Sequence, residues 1–264
     1  MSVAVCMIRS LWGMENIPTL EEKLRRVKQA GYEGVECPLP PEDPSQWIDL
    51  LSEYGLYYVG MIAATHADDF EKAVDDISQY KPIGITAHSG YDRMSFKEGC
   101  DFFLRALRAE RGSGIPIAHE TRRGGLFYAP WVTAQYLEEF PDLCLCADFS
   151  HWCVVCESML ESMNDLMALA CERAIHIHAR VGSTQRPQVP DPRVPSYMPY
   201  VERFETWWDD IRTCREGSGA TRLTITTEFG PPPYMQTHPE TQTPVADLDI
   251  LCDWMAQRLR ARWE

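Results

Sequence analysis

Short apolar runs alternate with longer amphipathic segments from one end of the chain to the other. In residues 17–32, for example, Leu20, Leu24 and Val27 recur at helical spacing, and Gly31 marks the end of the segment. The pattern predicts strands over residues 2–8, 34–39, 57–64, 83–90, 115–120, 143–149, 174–180 and 223–229. It predicts helices over residues 17–32, 45–56, 68–80, 96–112, 129–140, 157–173, 201–215 and 245–263.

This alternation indicates parallel strands that are joined by helical crossovers. Eight such units in 264 residues fit an α/β fold of the (β/α)8 TIM-barrel type, in a single domain that spans residues 1–264. No glycine-rich phosphate motif follows the first strand, which disfavours an open dinucleotide-binding sheet. The proline-rich stretch 185–199 is the one long irregular segment, and we expect it to act as a lid or substrate loop.

Composition and charge narrow the classes of partner. Hydrophobic residues make up 45% of the chain and charged residues 24%, which is typical of a globular protein. The net charge of −14 repels phosphate backbones and anionic lipids, so we expect neither a nucleic-acid nor a membrane partner. The start of the chain lacks the features of a signal peptide, and no apolar run is long enough to span a bilayer, so we expect a cytoplasmic protein.

The ten cysteines do not suggest a disulfide framework. Cys6, Cys144 and Cys146 lie within apolar strand runs, where they are expected to pack as small core residues. Cys153 and Cys156 have the CxxC spacing of a redox or zinc motif, but no second CxxC completes a four-thiolate site. Reduced thiols agree with the expected cytoplasmic location.

Polar residues mark the carboxyl ends of the predicted strands, where TIM barrels carry their chemistry. Glu120, Asp148, His178 and Glu228 come from four successive strands, the fifth to the eighth. Three carboxylates and one imidazole suit a single divalent cation such as Mn²⁺, Mg²⁺, Co²⁺ or Zn²⁺. Carboxylates that converge in a low-dielectric mouth repel one another unless a cation or protons intervene. A helix-capping role for Asp148 and a structural role for any single histidine are the alternatives.

Further polar residues near the strand ends are candidates for substrate contact: Glu36, His88, His119, His151 and Arg180. His151 follows Asp148 by one helical turn, so it can bind the metal or a substrate hydroxyl. Arg180 continues the face of His178, and it either pairs with an acidic substrate group or forms a salt bridge with a neighbouring carboxylate. His176 shares that face but lies deeper, so we expect His178 to be the ligand and His176 to support it or to pack in the core.

These motifs resemble those of the xylose-isomerase-like TIM barrels of the sugar isomerase/epimerase superfamily, over essentially the whole chain. The resemblance is carried by GYEGVE (31–36), HETRR (119–123), ADFSH (147–151), HIHAR (176–180) and TTEF (226–229). It implies that Glu120, Asp148, His178 and Glu228 hold one divalent metal ion, and that Glu120 and Glu228 also form an acid/base pair. It further implies that His151 and Arg180 contact the substrate, although Arg180 stands where a lysine is frequent in the superfamily.

The activity implied by the resemblance is proton abstraction next to a carbonyl, through an enediolate, in a small sugar or keto-polyol. Returning the proton makes the protein an isomerase or epimerase. Expelling a β hydroxyl makes it a metal-dependent dehydratase (lyase) of an inosose or dehydroshikimate type, which is the alternative. An AP endonuclease shares the fold but needs a basic DNA face, and a non-catalytic barrel is the remaining possibility. A homo-oligomer is an expectation by analogy of fold alone.

Overall fold

Eight parallel strands close into a barrel in the computed structural model, which describes residues 3–264. The strands are β1 (Ala4–Ser10), β2 (Gly34–Cys37), β3 (Tyr57–Ala64), β4 (Gly84–Ser89), β5 (Ile117–Glu120), β6 (Cys144–Ala147), β7 (Ala174–Ala179) and β8 (Arg222–Thr227). The helices are α1 (Leu20–Gln29), α2 (Pro44–Tyr54), α3 (Ala67–Ser78), α4 (Phe96–Ser113), α5 (Pro130–Glu139), α6 (Phe149–Val155), α7 (Asn164–Arg173), α8 (Met198–Gly217) and α9 (Leu248–Trp263). The (β/α)8 prediction is confirmed.

The barrel is closed by the pairing of its first and last strands. β8 runs parallel to β1, with Ala4 opposite Arg222 and Arg9 opposite Thr227. Because all eight strands run in the same direction, their carboxyl ends meet at one mouth and their amino ends at the other. Residue 2, with which the first predicted strand begins, lies outside the described residues.

The helix predicted over residues 157–173 does not form over residues 157–163. Glu157 and Leu160 adopt left-handed φ angles of 46° and 59°, which are incompatible with a continuous α-helix. The helix that covers this region, α7, therefore begins only at Asn164, while α6 starts directly after Asp148. As a result β6 ends at Ala147, two residues before the predicted end of that strand.

The expectation of one long irregular segment is also wrong. A second such segment, residues 228–247, joins β8 to α9 and contains one isolated bridge, between Thr237 and Pro244. Prolines at positions 231–233 remove backbone donors from its beginning, so neither a helix nor a ladder can start there. In the predicted segment 185–199, Pro195–Tyr197 form a short 3-10 turn and α8 starts at Met198.

Helix ends are fixed by side chains that satisfy exposed backbone donors. Ser95 forms a capping box at the start of α4, in which its hydroxyl accepts from the N–H of Glu98 and its own N–H donates to the Glu98 carboxylate at 2.8 Å. Asp43 caps α2 in a similar way, and Gly55 ends that helix in the left-handed conformation that glycine adopts without strain.

Large apolar side chains from the helices pack against the outer face of the barrel. Trp47, Phe70, Phe103, Trp152 and Trp208 are all essentially inaccessible to solvent. Burial of such side chains, at about 1.5–3 kcal/mol each, fixes the strands so that their polar carboxyl ends are held in place. All ten cysteines are free thiols, with Cys153 buried and Cys156 partly exposed. In residues 3–264 every helix is too short or too polar to cross a bilayer.

Candidate active site

The carboxyl ends of the strands surround a cavity of about 400 Å³. Its lining comes from β1, β2, β3, β4, β5, the loops after them, and the segments that follow β6, β7 and β8. The lining residues are Ser10, Leu11, Trp12, Glu15, Glu36, Cys37, Pro38, Met61, His88, Glu120, Arg122, His151, Arg180, Glu228 and Tyr234. This volume is within the range of small-molecule sites.

Three of the four predicted metal ligands converge on the floor of this cavity. The Nδ1 atom of His178 lies 3.1 Å from Oε2 of Glu228 and 3.9 Å from Oε1 of Glu120. Nevertheless His178 Nδ1 and Glu228 Oε2 are buried without a hydrogen-bond partner, while Glu120 Oε2 makes an ion-pair contact with His88 Nε2. Two ligands that each lie about 2.1 Å from one cation are about 3 Å apart, so the spacing of His178 and Glu228 fits a shared ion. Asp148 completes a group with these two residues, whereas Glu120 groups with Asp148 and His151 on the adjoining side of Asp148.

Glu36, which lies on β2, sets the orientation of the His178 ring on β7. Nε2 of His178 lies 3.1 Å from each carboxylate oxygen of Glu36. Because an ionised carboxylate only accepts, Nε2 carries a proton, and Nδ1 is the ring nitrogen that can give its lone pair to a cation in place of the second proton. Glu36 was predicted to contact substrate. It does reach the cavity wall, but its carboxylate is committed to His178 and, at 3.5 Å, to His176.

His176 lies one layer deeper, as the sequence suggested. Its Nδ1 is 2.7 Å from the hydroxyl of Thr224, and its Nε2 is 3.1 Å from the hydroxyl of Thr226. A second group of candidate ligands, Cys146 with His176 and His178, lies below the first. Both ring nitrogens of His176 already have partners, and burial raises the pKa of the Cys146 thiol, so this group is the poorer cation site.

Asp148 combines two roles that were alternatives at the level of sequence. Its Oδ1 accepts from the backbone N–H and the hydroxyl of Ser150, which caps α6. Its Oδ2 forms an ion pair with Arg180. Asp148, His178 and Glu228 each offer one atom within 4.8 Å of the others, so Asp148 can join the cation site. A cation there would compete with Arg180 for Oδ2.

The electrostatics show a pocket that attracts positive charge. Burial, together with the charges of Glu228 and Glu120, raises the pKa of Asp148 to about 6 against the opposing effect of Arg180. Burial opposes protonation of His178, but Cys146, Glu36 and Glu228 hold its pKa well above the ordinary value. The raised pKa values of Asp148 and His178 mean that these two groups favour a proton, which a divalent cation can replace. Although burial opposes ionisation, His88 lowers the pKa of Glu120 and Arg180 lowers that of Glu228, so both glutamates stay ionised.

His151 lines the cavity, and its contact with Arg180 determines which ring nitrogen carries the proton. Its Nε2 lies 2.8 Å from the guanidinium of Arg180, which can only donate. Nε2 must therefore accept, and the ring proton is on Nδ1. That atom is buried and makes no hydrogen bond within residues 3–264. A substrate oxygen is the partner that this geometry lacks, which supports the predicted substrate contact.

The two remaining predicted histidines have different positions. His88 lines the cavity with its side chain 26% exposed, and its Nε2 contacts the carboxylate of Glu120. His119 faces away from the cavity, where its Nδ1 lies 2.6 Å from the Ser89 hydroxyl and its ring stacks on Phe70. Successive residues of a strand point to opposite faces, so His119 and Glu120 cannot both reach the site. The placement of His119 does not support substrate contact.

The segment after β8 supplies a wall residue that sequence reasoning missed. Tyr234 packs edge-on against Trp12 at 5.2 Å, and the Arg180 guanidinium lies 5.0 Å from its ring centre. The sequence signal was the aromatic residue that follows Pro231–Pro233, directly after the site glutamate on β8. Trp152 does not line the cavity. Its side chain is fully buried, and its indole N–H donates to the carbonyl of Phe127.

The proline-rich segment 185–199 does not line the cavity. It contributes Gln188, whose buried side chain forms hydrogen bonds with the backbone of Gly230. The N–H of Gly230 donates to Gln188 Oε1 at 2.7 Å, and Gln188 Nε2 donates to the Gly230 carbonyl at 3.1 Å. The segment therefore supports the loop that carries Tyr234, instead of contacting substrate as expected. A Cβ at Gly230 would lie 2.1 Å from Trp12, so only glycine fits there.

No protein-family model matches the sequence, and no curated protein does so either. Among solved structures, the chain is similar to an AP endonuclease of family 2 from Brucella melitensis, with a TM-score of 0.63 and 16% identity over 97% of this chain and 99% of that one. It is similar to the probable 3-DHS dehydratase AsbF from Bacillus anthracis, with a TM-score of 0.60 and 13% identity over 98% and 99% of the two chains.

A third similar structure is that of the IOLI protein with a bound zinc atom, with a TM-score of 0.64 and 9% identity over 97% of this chain and 95% of that one. Other matching structures are described as xylose isomerase-like TIM barrels and as a sugar phosphate isomerase/epimerase. At these identities the likeness concerns the fold, and the reactions of the matched proteins differ. The chain therefore has the xylose isomerase-like TIM-barrel fold.

Proposed function

We propose that the protein is a divalent-metal-dependent isomerase or epimerase of a small sugar or keto-polyol. The observation that carries the proposal is the pair of unpartnered, buried atoms His178 Nδ1 and Glu228 Oε2 at the floor of the cavity, beside the buried carboxylates of Asp148 and Glu120. Such atoms are costly to bury unless a ligand satisfies them. The IOLI structure contains zinc in the same fold, which agrees with an ion at this point.

The residues that would hold the ion are Glu120, Asp148, His178 and Glu228. Oxygen and imidazole donors of this kind accept Mn²⁺, Mg²⁺, Co²⁺ or Zn²⁺. When bound, a divalent cation supplies Lewis-acid polarisation of a carbonyl oxygen. The fixed tautomer of His178, held by Glu36, keeps the Nδ1 lone pair available for such an ion.

Proton transfer is assigned to the two glutamates. Glu120 on β5 and Glu228 after β8 enter the cavity from different sides of the barrel, so one removes a proton from carbon and the other returns it to the opposite face or to the adjacent carbon. His88 contacts Glu120 and is partly exposed, which gives the buried carboxylate a route for proton exchange with solvent. His151 donates Nδ1–H to a substrate oxygen and so orients the substrate.

The test is exchange of α-carbon hydrogen for deuterium, followed by NMR, with a panel of ketoses and cyclic keto-polyols in the presence of Mn²⁺. The wild-type protein should exchange at least one substrate. Glu120→Gln and Glu228→Gln should each lower the rate by about 10²–10⁴-fold, the usual effect of losing a general acid or base. Inversion at the same carbon identifies an epimerase, and a shifted carbonyl identifies an isomerase.

Glu110→Gln is the matched control. Glu110 lies at the opposite end of the barrel, where it accepts from the N–H of Ile117 at 3.0 Å, a bond that glutamine can preserve. This variant should exchange at the wild-type rate. Absence of exchange with every substrate, in protein shown to contain the ion, would contradict the proposal.

A dehydratase is the second candidate, and the unpartnered Nδ1–H of His151 favours it. Burial and Arg180 hold the pKa of His151 well below its ordinary value, so the ring is neutral and its N–H can stabilise the leaving oxygen of a β hydroxyl by a hydrogen bond. AsbF shows that this fold accommodates a protein described as a probable dehydratase. Appearance of an enone absorbance with a cyclic keto-polyol, lost in His151→Phe but retained in His119→Phe, would establish this reaction over the first.

A further inference from the structure

We propose that the opposite end of the barrel contains a binding site for a small oxyanion. This site, termed here the N-terminal cavity, has a volume of about 160 Å³. It is lined by Val59, Ile83, Gly84, Ile85, Thr86, Pro116, Ala118, Ile175, His176, Arg215, Arg222 and Thr224. It lies on the far side of the His176 layer from the candidate active site, and the proposal does not depend on the activity assigned above.

The charge of this lining is unusual for a protein with a net charge of −14. Its only permanently charged members are two arginines, Arg215 from the last turn of α8 and Arg222 from the start of β8. Within residues 3–264 neither guanidinium lies within 4.0 Å of a carboxylate. Neither charge is therefore neutralised by a carboxylate, although the Arg222 guanidinium also packs over the ring of Tyr57, 4.6 Å from its centre.

Buried polar groups in the cavity also lack partners. Thr86 is fully buried, and its hydroxyl makes no hydrogen bond within the described chain. Nε of Arg215 is likewise buried and unpartnered. Buried donors without acceptors carry a desolvation cost that an oxyanion between them would remove. A hydroxyl and two guanidinium groups form the donor set that phosphate and carboxylate oxygens prefer.

The acidic residues at this end of the barrel are already bound elsewhere. Glu33 accepts from the N–H of Met7 at 2.7 Å and from Arg260 at 3.2 Å. Glu110 accepts from the N–H of Ile117 at 3.0 Å, and Asp142 lies 3.9 Å from Arg111. None of the three carboxylates lines the N-terminal cavity, so none occupies the space between the two arginines.

The size and walls of the cavity limit the ligand. A volume of about 160 Å³ corresponds to roughly five water molecules at their volume in the liquid, so it accepts one oxyanion with at most a short chain. Ile83, Ile85 and Ile175 form apolar walls beside the charged groups. Inorganic phosphate and a short-chain carboxylate both satisfy this chemistry, since each presents two or more oxygens to the arginines.

The experiment is isothermal titration calorimetry of the purified full chain with sodium phosphate and, separately, with sodium butyrate, at constant ionic strength. We expect saturable binding of at least one anion at one site per chain. Arg215→Gln and Arg222→Gln should each raise its Kd by about tenfold or more, because each removes a charge-assisted hydrogen bond. Stronger binding of phosphate indicates a phosphate ligand, and stronger binding of butyrate indicates a carboxylate whose chain lies on the isoleucines.

Arg173→Gln is the control, because Arg173 ends α7 at the same face of the molecule but does not line the cavity. It should leave Kd unchanged. Thr86→Val keeps the charge and should weaken binding by a few-fold, which separates a built site from a general attraction to arginine. The proposal is overturned if neither anion binds saturably, in which case water alone fills the cavity, or if the variants at Arg215 and Arg222 bind as the wild type does.

Discussion

The two ends of the barrel interior carry opposite charges although the same eight strands form both. At the carboxyl ends, Glu36, Glu120 and Glu228 line a cavity of about 400 Å³. At the amino ends, Arg215 and Arg222 line one of about 160 Å³. Between them, His176, Glu36 and His178 form a continuous set of polar contacts along the barrel axis. The contrast shows that strand direction alone does not determine where polar chemistry occurs in this chain.

The difference between the ends lies in how the buried groups are satisfied. At the carboxyl end the unpartnered atoms of Glu228 and His178 are acceptors, which favour a cation. At the amino end the unpartnered atoms belong to Thr86 and Arg215, which can donate to an anion. If the comparison is correct, substitutions at the carboxyl end should change cation binding and leave anion binding unaffected. Substitutions at the amino end should change anion binding and leave cation binding unaffected.

The largest effect is expected from removing cation ligands. The double variant Glu120→Gln/Glu228→Gln should bind Mn²⁺ more weakly than the wild type by well over about 100-fold, the upper range for loss of a supporting residue alone. Two of the three carboxylate charges at the floor would be gone. Calorimetry measures the change, with Arg215→Gln as the matched variant at the other end. An equal Mn²⁺ affinity in wild type and double variant would refute the cation site.

A somewhat smaller effect is expected from Glu36→Gln. The amide still accepts from Nε2 of His178 but no longer carries the negative charge that strengthens the Nδ1 lone pair. The affinity for Mn²⁺ should fall by about 10–100-fold, as for other supporting carboxylates. Glu36→Leu should lower it further, because the ring then loses its fixed tautomer. If Glu36→Leu bound Mn²⁺ as tightly as Glu36→Gln, the positioning role would be contradicted.

Arg180→Met should change cation affinity in the opposite direction. Arg180 pairs with Asp148 Oδ2, an interaction of a kind that contributes about 1.5–3 kcal/mol. Removing the competitor should strengthen Mn²⁺ binding by about tenfold, since 1.36 kcal/mol corresponds to one decade. Arg123→Met is the control, because that guanidinium packs over Tyr234 and pairs with no carboxylate of the floor. Weaker binding in Arg180→Met would show that Arg180 supports the ion instead of competing with it.

The smallest effect concerns stability at the amino end. Burial raises the pKa of Glu110, so its ionised form is disfavoured in the folded state. The stability that Glu110 contributes is fully present below its unfolded pKa and is lost as the pH rises through the folded value. Glu110→Gln should therefore melt about 1–2 °C above the wild type at pH 7.5, and the difference should disappear near pH 4. A larger difference at pH 4 than at pH 7.5 would reverse the sign of this argument.

The sequence was sufficient for the barrel because its signals were local and repeated. The strand at Tyr57–Ala64 was predicted to the residue, since it is an apolar run that begins just after Gly55 and ends at the polar residues Thr65 and His66. The boundary between α6 and α7 was missed, because left-handed residues at Glu157 and Leu160 are not encoded by glycine. Tertiary packing determines the backbone there, and a helical pattern of apolar residues does not reveal it.

Part of the site was predictable as well, because its residues follow local strand signals in the sequence. Placing Glu120, Asp148, His178 and Glu228 at one mouth required only strand direction. Including His119 ignored the alternation of side chains along a strand, which the sequence already contained. The pairing of Arg180 with Asp148 was one of two open alternatives, and only three-dimensional packing decides it. The contribution of Tyr234 depended on the path of a long loop, for which no periodic signal exists.

The amide of Gln188 has a consequence for any attempt to redesign this protein. Because one side chain joins the loop after β7 to the backbone of Gly230 in the loop after β8, the two loops form a single mechanical unit. Shortening the loop after β7 would remove the side chain that holds the loop of Tyr234 in place. Grafting the loop after β8 would leave Gln188 without its backbone partner. Variants with altered selectivity will therefore have to exchange both loops together.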